Sequence, residues 1–521
     1  MSSYDYRNVA ELMCKAKENQ TPYTFITGAG CSISAKIPGA VELIHRIKTE
    51  YSTCVKDLTD NETNYGKFMA CLDKDERRRL IRPLVDGATI NWAHIALACL
   101  INAGFVQRVL TFNFDNILAR ACGLMGLYPA TYDFTSANIN LHRLIVEPAI
   151  VHLHGQSQGF EQLNDEQQTT EQANRLRVFM RDTMNHSPTL FIGYSGEADS
   201  FFDVIRECFE GEKRLFWLTY GQNADHHVQK LLDKAPRLAH HIGGQDADVF
   251  LIQLAQELEY FPPEILRNPY SHLLNELKPV NDYPKAVGDT DFLEQTKSQL
   301  TKDSKRMLMK KRRISVLFLE GKYEEVIQAY NKDPQESDKY DVAWAYVKQA
   351  EKKIDDKGDY IAAFELFELA VNIRSDIAEV WYNWGVALSK FAATLSEPER
   401  SAHYKEVIEK YAQALVIKPD MHQAWFNWGN ILARFAAILN ESERDIYYTE
   451  AERVLTQAES LNPDEVYNLA CLYAMTNRID EAREKLLHCK DKGTLPTAEY
   501  LKQDDDLAAV RDLPWFEELL Y

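Results

Sequence analysis

Up to about residue 260, short apolar runs alternate with longer amphipathic stretches. Residues 23–27 read Tyr-Thr-Phe-Ile-Thr, β-branched or aromatic throughout, and predict a buried strand. The runs at 106–112, 149–153, 190–192, 214–219 and 238–242 predict further strands. Helical periodicity falls between them, in residues 1–20, in Val41, Leu43, Ile44 and Ile47, and in 175–184, 224–233 and 246–260. Residues 50–100 are helix-rich and polar, and the charged cluster at 73–79 reads as a solvated helix face. Residues 156–174 are glutamine-rich and read as a loop or a mobile helical insertion. Alternation of this kind predicts an α/β domain, a parallel sheet with helices on both faces.

The pattern changes after residue 260. Residues 261–313 carry Pro262, Pro263, Pro269, Pro279 and Pro284 and read as a connector. Its end, 302–313, is strongly basic and reads as a helix face seated against the acidic bulk of the chain. From residue 314 the chain is helical and repetitive. Trp-Tyr-Asn-Trp-Gly at 381–385 returns as Trp-Phe-Asn-Trp-Gly at 425–429, and Lys-Pro-Asp at 418–420 returns as Asn-Pro-Asp at 462–464, each 44 residues on. These units resemble the tetratricopeptide repeat, a helix pair of 34 residues, with the extra length falling between the helices near 394–399 and 438–443 and lengthening both. Residues 466–487 form a unit of ordinary length, 316–330 and 341–373 weaker ones, and 511–520 resembles a capping helix. Trp381 and Trp425 read as packing between neighbouring helices. The resemblance implies an all-α solenoid over 314–521.

The totals narrow the function. A chain of 521 residues holds two or three domains, and 45% hydrophobic with 26% charged residues supplies ample core. A net charge of −19 argues against general nucleic-acid affinity. No apolar run approaches the ~18 residues of a membrane span, and residues 1–7 lack an apolar signal core. The nine cysteines are scattered, none as Cys-x-x-Cys, which fits free thiols in a cytoplasmic protein.

The candidate chemistry lies where strands end. Gly28 and Gly30 follow the first strand and a helix follows Pro38, the layout that sets backbone N–H groups against a phosphate. The loop lacks the third glycine of the dinucleotide fingerprint and is not a Walker loop. Three later segments agree with it, and with them residues 20–260 resemble a sirtuin. The family's glycine loop appears as Gly28-Ala29-Gly30-Cys31-Ser32 with Ile37-Pro38, its Thr-Gln-Asn-Ile-Asp as Thr111-Phe112-Asn113-Phe114-Asp115, its His-Gly as His154-Gly155, and its Gly-Thr-Ser as Gly193-Tyr194-Ser195, all in the family's order.

The resemblance implies a Rossmann-like, sirtuin-type domain over residues 1–260 that uses NAD as a substrate. Cleaving the nicotinamide–ribose bond expels a neutral pyridine, so no acid is needed. A dry pocket, an oriented nucleophile and a base are. Asn113 is the expected water-aligning residue and His154 the base, acting directly or through a ribose hydroxyl. Gly28, Ala29, Gly30, Ser32 and Pro38 are expected around the pyrophosphate, Asp115 at the carboxamide end or the loop, and Gly193, Tyr194 and Ser195 on the adenosine side. His152 faces the same side as His154 but lacks a following glycine, and Cys31 reads as a small apolar filler.

Two departures from the family bear on the activity. No cysteine stands between His154 and Cys208, so the four-cysteine zinc site of the protein-deacylating members is missing and no metal is expected. The family's Phe-Arg, whose Phe shields the ribose carbon from water, is replaced by Gly39-Ala40-Val41. The chain is most similar to the sirtuin-like NADases of bacterial antiphage defence, which pair such a domain with a sensing domain. That resemblance implies an NAD hydrolase as toxic effector, assembled as a homo-oligomer and released by a protein trigger at the repeats. An NAD-dependent deacylase and a non-catalytic nucleotide-binding scaffold are the competing expectations.

Overall fold

In the computed structural model the described residues are 4–58, 64–157, 159, 163, 166–196, 200–282, 284, 287–288, 290–309, 313–464, 466–492 and 494–520. They form two compact units: residues 1–312 with Leu319–Gly321, and Arg313–Phe318 with Lys322–Tyr521.

The first unit is built on seven strands, β1 (Tyr23–Thr27), β2 (Val106–Thr111), β3 (Ala130–Asp133), β4 (Ala149–His152), β5 (Thr189–Ile192), β6 (Leu215–Leu218) and β7 (Ala239–Ile242). Every pairing is parallel, in the order β3-β4-β2-β1-β5-β6-β7. This is the Rossmann-like α/β sheet that the alternation predicts. Successive side chains feed opposite layers, as a pleated strand requires. Phe25, Val109, Leu190 and Phe216 pack into one core with helices Trp92–Asn102 and Ala247–Glu257. Their neighbours Ile26, Leu110, Phe191 and Trp217 pack into the other with helix Glu166–His186.

Strand β3 has no counterpart in the hydrophobic pattern. Its sequence is Ala-Thr-Tyr-Asp, half-exposed, and it pairs only with β4 at the sheet edge. An edge strand buries too little to need an apolar run. The glutamine-rich stretch is helical from Glu166 onward, and its residues 158, 160–162 and 164–165 lie outside the described residues. Residues 261–313 hold helices Glu264–Arg267, Pro269–Leu277 and Phe292–Met309, with the buried pair Asn268 and Ser304 joined at 3.0 Å. Residues 310–312 of the basic run lie outside the described residues.

The second unit is largely helical. Helices Ala378–Ala392 and Glu399–Ile417, then His422–Ile438 and Glu441–Leu461, pack as consecutive pairs of 15 and 19, then 17 and 21 residues. The extra residues therefore lie within helices as well as in the turn at 393–398 in the first 44-residue period, and within helices parted only by 439–440 in the second. The contacts recur with the sequence period. Trp381 Nε1 donates to Ser375 O at 2.9 Å and Trp425 Nε1 to Pro419 O at 2.8 Å. Arg400 Nε donates to Leu395 O at 2.9 Å and Arg444 Nη2 to Leu439 O at 3.0 Å. A Cβ on Gly385 would meet the Tyr411 ring at 2.7 Å, and one on Gly429 would meet Leu455 at 2.4 Å. Glycine lets each pair of helices close together.

Candidate active site

β1 lies between β2 and β5, so the chain departs to one side of β1 and returns on the other. Ligands of open α/β sheets bind at the carboxyl edge of such a switch point. The loops leaving β1 and β5 meet there through their main chains. Gly28 N–H donates to Ile192 O at 3.1 Å and Gly30 N–H to Gly193 O at 2.9 Å. A Cβ on Gly28 would lie 2.5 Å from Gly193 O, one on Gly30 2.7 Å from Gly193 Cα, and one on Gly193 (φ +66°) 2.6 Å from Cys31 N. All three glycines are demanded by this interlock. The loop then turns twice in short 3₁₀ segments, Ala29–Cys31 and Ile33–Ala35, with Cys31 N–H bonded to Gly28 O and Ser32 N–H to Ala29 O. Ile37 N–H donates to Ser32 O at 3.3 Å, which brings Pro38 back beside the loop.

Asn113, two residues beyond β2, enters this loop from the side. Its Nδ2 donates to Gly28 O at 3.1 Å and to Ser32 Oγ at 3.0 Å. Ser32 Oγ donates onward to Asp115 Oδ2 at 2.9 Å, and Asp115 Oδ1 accepts Ile117 N–H at 3.0 Å. The imidazole of His152 donates from Nδ1 to Asn113 O at 3.0 Å. Burial pulls that ring below its ordinary 6.5, so it is neutral near pH 7, with the proton on Nδ1.

His154 is 9% exposed, and its ring meets Phe112 edge-on at 5.0 Å and Phe201 at 5.8 Å. Phe112 stacks in turn on Tyr194 at 4.3 Å. One aromatic row thus runs from the end of β4 across β2 to the end of β5. Ser195 is exposed, and its carbonyl accepts from His227 Nε2 at 2.9 Å. The Cys31 thiol is buried against Ile192 O at 3.4 Å, and burial, with Asp248 and Asp115 nearby, pushes it far above its ordinary 9. It is a protonated filler and no nucleophile.

A polar knot beneath the loop, buried at Asn91 and His94, has no forerunner in the motifs. Asn91 Nδ2 donates to Cys31 O at 2.8 Å, Ser34 Oγ at 2.7 Å and Asp248 Oδ1 at 3.2 Å. Its Oδ1 caps helix Trp92–Asn102 through His94 N–H at 3.3 Å and also meets His94 Nδ1. Burial lowers His94 below 6.5 and lifts Asp248 above 3.8. An asparagine just ahead of an apolar helix is a capping signal, legible at 91, but nothing local tells that the same side chain holds the glycine loop. Among the described residues no group of three or more His, Cys, Asp or Glu side chains could hold a metal.

Fold and site define a parallel α/β domain with its candidate site at the carboxyl edge of β1, β2 and β5. Residues 107–239, within the first unit, match the SIR2-like domain family. The match opens in β2 and leaves the Gly28–Ser32 loop outside it. Residues 368–481 match the family of the plant-specific mitochondrial import receptor subunit TOM20. Among solved structures, a Sir2 homologue in complex with NAD is similar at 15% identity and a TM-score of 0.28, over 49% of this chain and 95% of that one. A structure on the basis of sirtuin substrate affinity is similar at 16% identity and a TM-score of 0.28, over 48% and 97%. No curated protein matches the sequence.

Proposed function

We propose that this protein is an NAD glycohydrolase that releases nicotinamide and ADP-ribose. One observation carries the reading. The amide nitrogen of Asn113 is spent on Gly28 O and Ser32 Oγ, so its carbonyl Oδ1 is the atom left to meet a water in the crevice. A water aligned by Oδ1 attacks the ribose C1′ as the neutral nicotinamide departs, and His154 takes the water's proton. The pyrophosphate sits along Gly28, Ala29, Gly30, Ser32 and Pro38. Of the loop's N–H groups, those of Gly28, Gly30, Cys31 and Ser32 are taken by backbone carbonyls. Asp115 holds the loop through Ser32, and Gly193, Tyr194 and Ser195 serve the adenosine side.

The segment after Pro38 supports water as the acceptor. Gly39-Ala40-Val41 stands where the sirtuin resemblance leads one to expect Phe-Arg, and none of the three carries an aromatic ring to shield the ribose carbon. The test is incubation of purified protein with NAD alone, products separated by chromatography. Nicotinamide and ADP-ribose are expected. Turnover only when an acylated peptide is added would make the protein a deacylase instead, and NAD binding with no turnover a scaffold.

The remaining part of the proposal concerns the helical unit. Its 44-residue period and repeated contacts support a tetratricopeptide solenoid, whose stacked units present extended surfaces to proteins or to further copies of the chain. Unchecked hydrolysis of NAD kills its host. We therefore place the protein in the cytoplasm as the effector of an antiphage, abortive-infection response, held silent in a homo-oligomer and released by a protein trigger at residues 314–521. No helix among the described residues is long and apolar enough to cross a membrane.

A further inference from the structure

The long helix Glu166–His186 runs alongside the exits of β3 and β4. Gln172 on this helix lies in the glutamine-rich stretch, whose composition reads as a loop or a mobile helical insertion, yet it is only 4% exposed. Its Nε2 donates to Phe134 O at 3.0 Å and to Leu153 O at 3.1 Å. These carbonyls belong to the first residue after β3 and the first after β4. One turn on, Arg175 donates to Phe134 O at 2.6 Å, Thr135 O at 3.3 Å and Ala137 O at 2.9 Å, fixing the β3 exit to the same helix.

The bond to Leu153 O bears on the neighbouring histidine. That oxygen belongs to the planar peptide unit joining Leu153 to His154, so fixing its direction fixes the plane from which the His154 Cα departs. The next peptide is held as well, since His154 O accepts Leu163 N–H at 2.9 Å. A buried glutamine costs more than a leucine of similar size unless its donors are used, and here both are used on strand exits.

We propose that Gln172 is the positioning residue for His154, a clamp that sets the imidazole's direction at the carboxyl edge of the sheet. The proposal rests on the assignment of His154 to NAD hydrolysis. Without the clamp the peptide before His154 can swing, and the ring with it. A displacement of about 1 Å in a reacting group costs up to ~10²-fold in rate.

The test compares the full-length parent with Gln172→Met, which keeps the length and loses both donors, and with His154→Ala. Turnover of NAD is followed together with the imidazole resonances of histidine-labelled protein, His154 being assigned by its loss in His154→Ala. For Gln172→Met we expect a kcat lower by ~10–100-fold, a KM within about twofold, an unchanged melting temperature, and a displaced His154 resonance with an altered pH titration. If Gln172→Met does not fold, Gln172→Asn, one methylene too short to span both carbonyls, takes its place. An inactive His154→Ala beside a Gln172 variant with the parent's kcat and His154 resonance overturns the inference and leaves the site reading standing. A fully active His154→Ala overturns the site reading, and the inference falls with it.

Discussion

Asn113 and Ser32 share a hydrogen bond whose direction is set by what lies beyond it. Ser32 Oγ has a single proton, which goes to Asp115 Oδ2 at 2.9 Å, so toward Asn113 it can only accept, and Asn113 must present its Nδ2 at 3.0 Å. The carboxylate of Asp115, acting through Ser32, and the carbonyl of Gly28, which accepts from the same Nδ2 at 3.1 Å, together fix the direction of the Asn113 amide. Ser32→Ala removes the first of these and loosens the amide. NAD turnover should fall by ~10-fold or more, with the circular dichroism spectrum unchanged. Parent-like kcat in Ser32→Ala would show that the amide's orientation is held elsewhere.

Asn113→Ala and His154→Ala remove the proposed water-aligning group and the proposed base. Each should lower NAD hydrolysis by ~10²–10⁴-fold in a protein that still melts cooperatively. Undiminished hydrolysis in both would move the active site away from this sheet edge.

Stability should depend on pH through two buried rings. Desolvation holds both His94 and His152 below 6.5 in the folded chain. As pH falls through 6.5 the unfolded chain takes up these protons first. The stability they contribute is complete above about pH 7 and is lost below about 6.5. The melting temperature should drop between pH 7.5 and 5.5, and less so in His152→Gln. An equal drop in the variant would clear His152 of any part in it.

The glycine interlock predicts costs that do not add. Gly28→Ala and Gly193→Ala each push a methyl into the opposite loop's main chain, at 2.5 and 2.6 Å, and should each destabilise the protein by ~1–3 kcal/mol in denaturant titrations. Once one loop has shifted, the second substitution meets a gap already opened, so the double variant should fall short of the sum. Strict additivity would mean that the loops yield independently.

Division of labour is tested by a chain ending at Gly321. That end point keeps Leu319–Gly321, which belong to the first unit, where Gln256 Nε2 donates to Leu319 O at 2.8 Å. Expressed in cells, this fragment should either deplete NAD constitutively or no longer respond to infection. A normal response to infection would place sensing in the first unit and defeat the proposal for the repeats.

What was legible in the sequence followed from burial. β1 and β5 lie at the centre of the sheet with both faces covered, so their residues are uniformly apolar or small and announce themselves. β3 sits at the edge, and Thr131 and Asp133 can face water, so no pattern marks it. The glycine motifs were visible because close backbone approach leaves no other residue type possible at Gly28 and Gly30. The N–H groups of Gly28 and Gly30, expected at a phosphate, are instead bonded across to the β5 exit, which no local pattern encodes. Asn91 and Gln172 stayed hidden for the same reason. Asn91 reaches Asp248 across 157 positions of sequence, and Gln172 reaches Phe134 across 38. A polar side chain that is buried by a distant segment looks, in the sequence, like one that is solvated.

The doubled contacts of the helical unit have a consequence at the level of the gene. Ser375, Trp381, Gly385, Leu395, Arg400 and Tyr411 each have a counterpart 44 positions later that makes the corresponding contact. A recombination event that drops or copies one such period rejoins the coding sequence with tryptophan meeting the same upstream carbonyl and glycine facing the same neighbour. The array can thus be shortened or extended in whole periods, and its length becomes a heritable variable that changes without any alteration to residues 1–312.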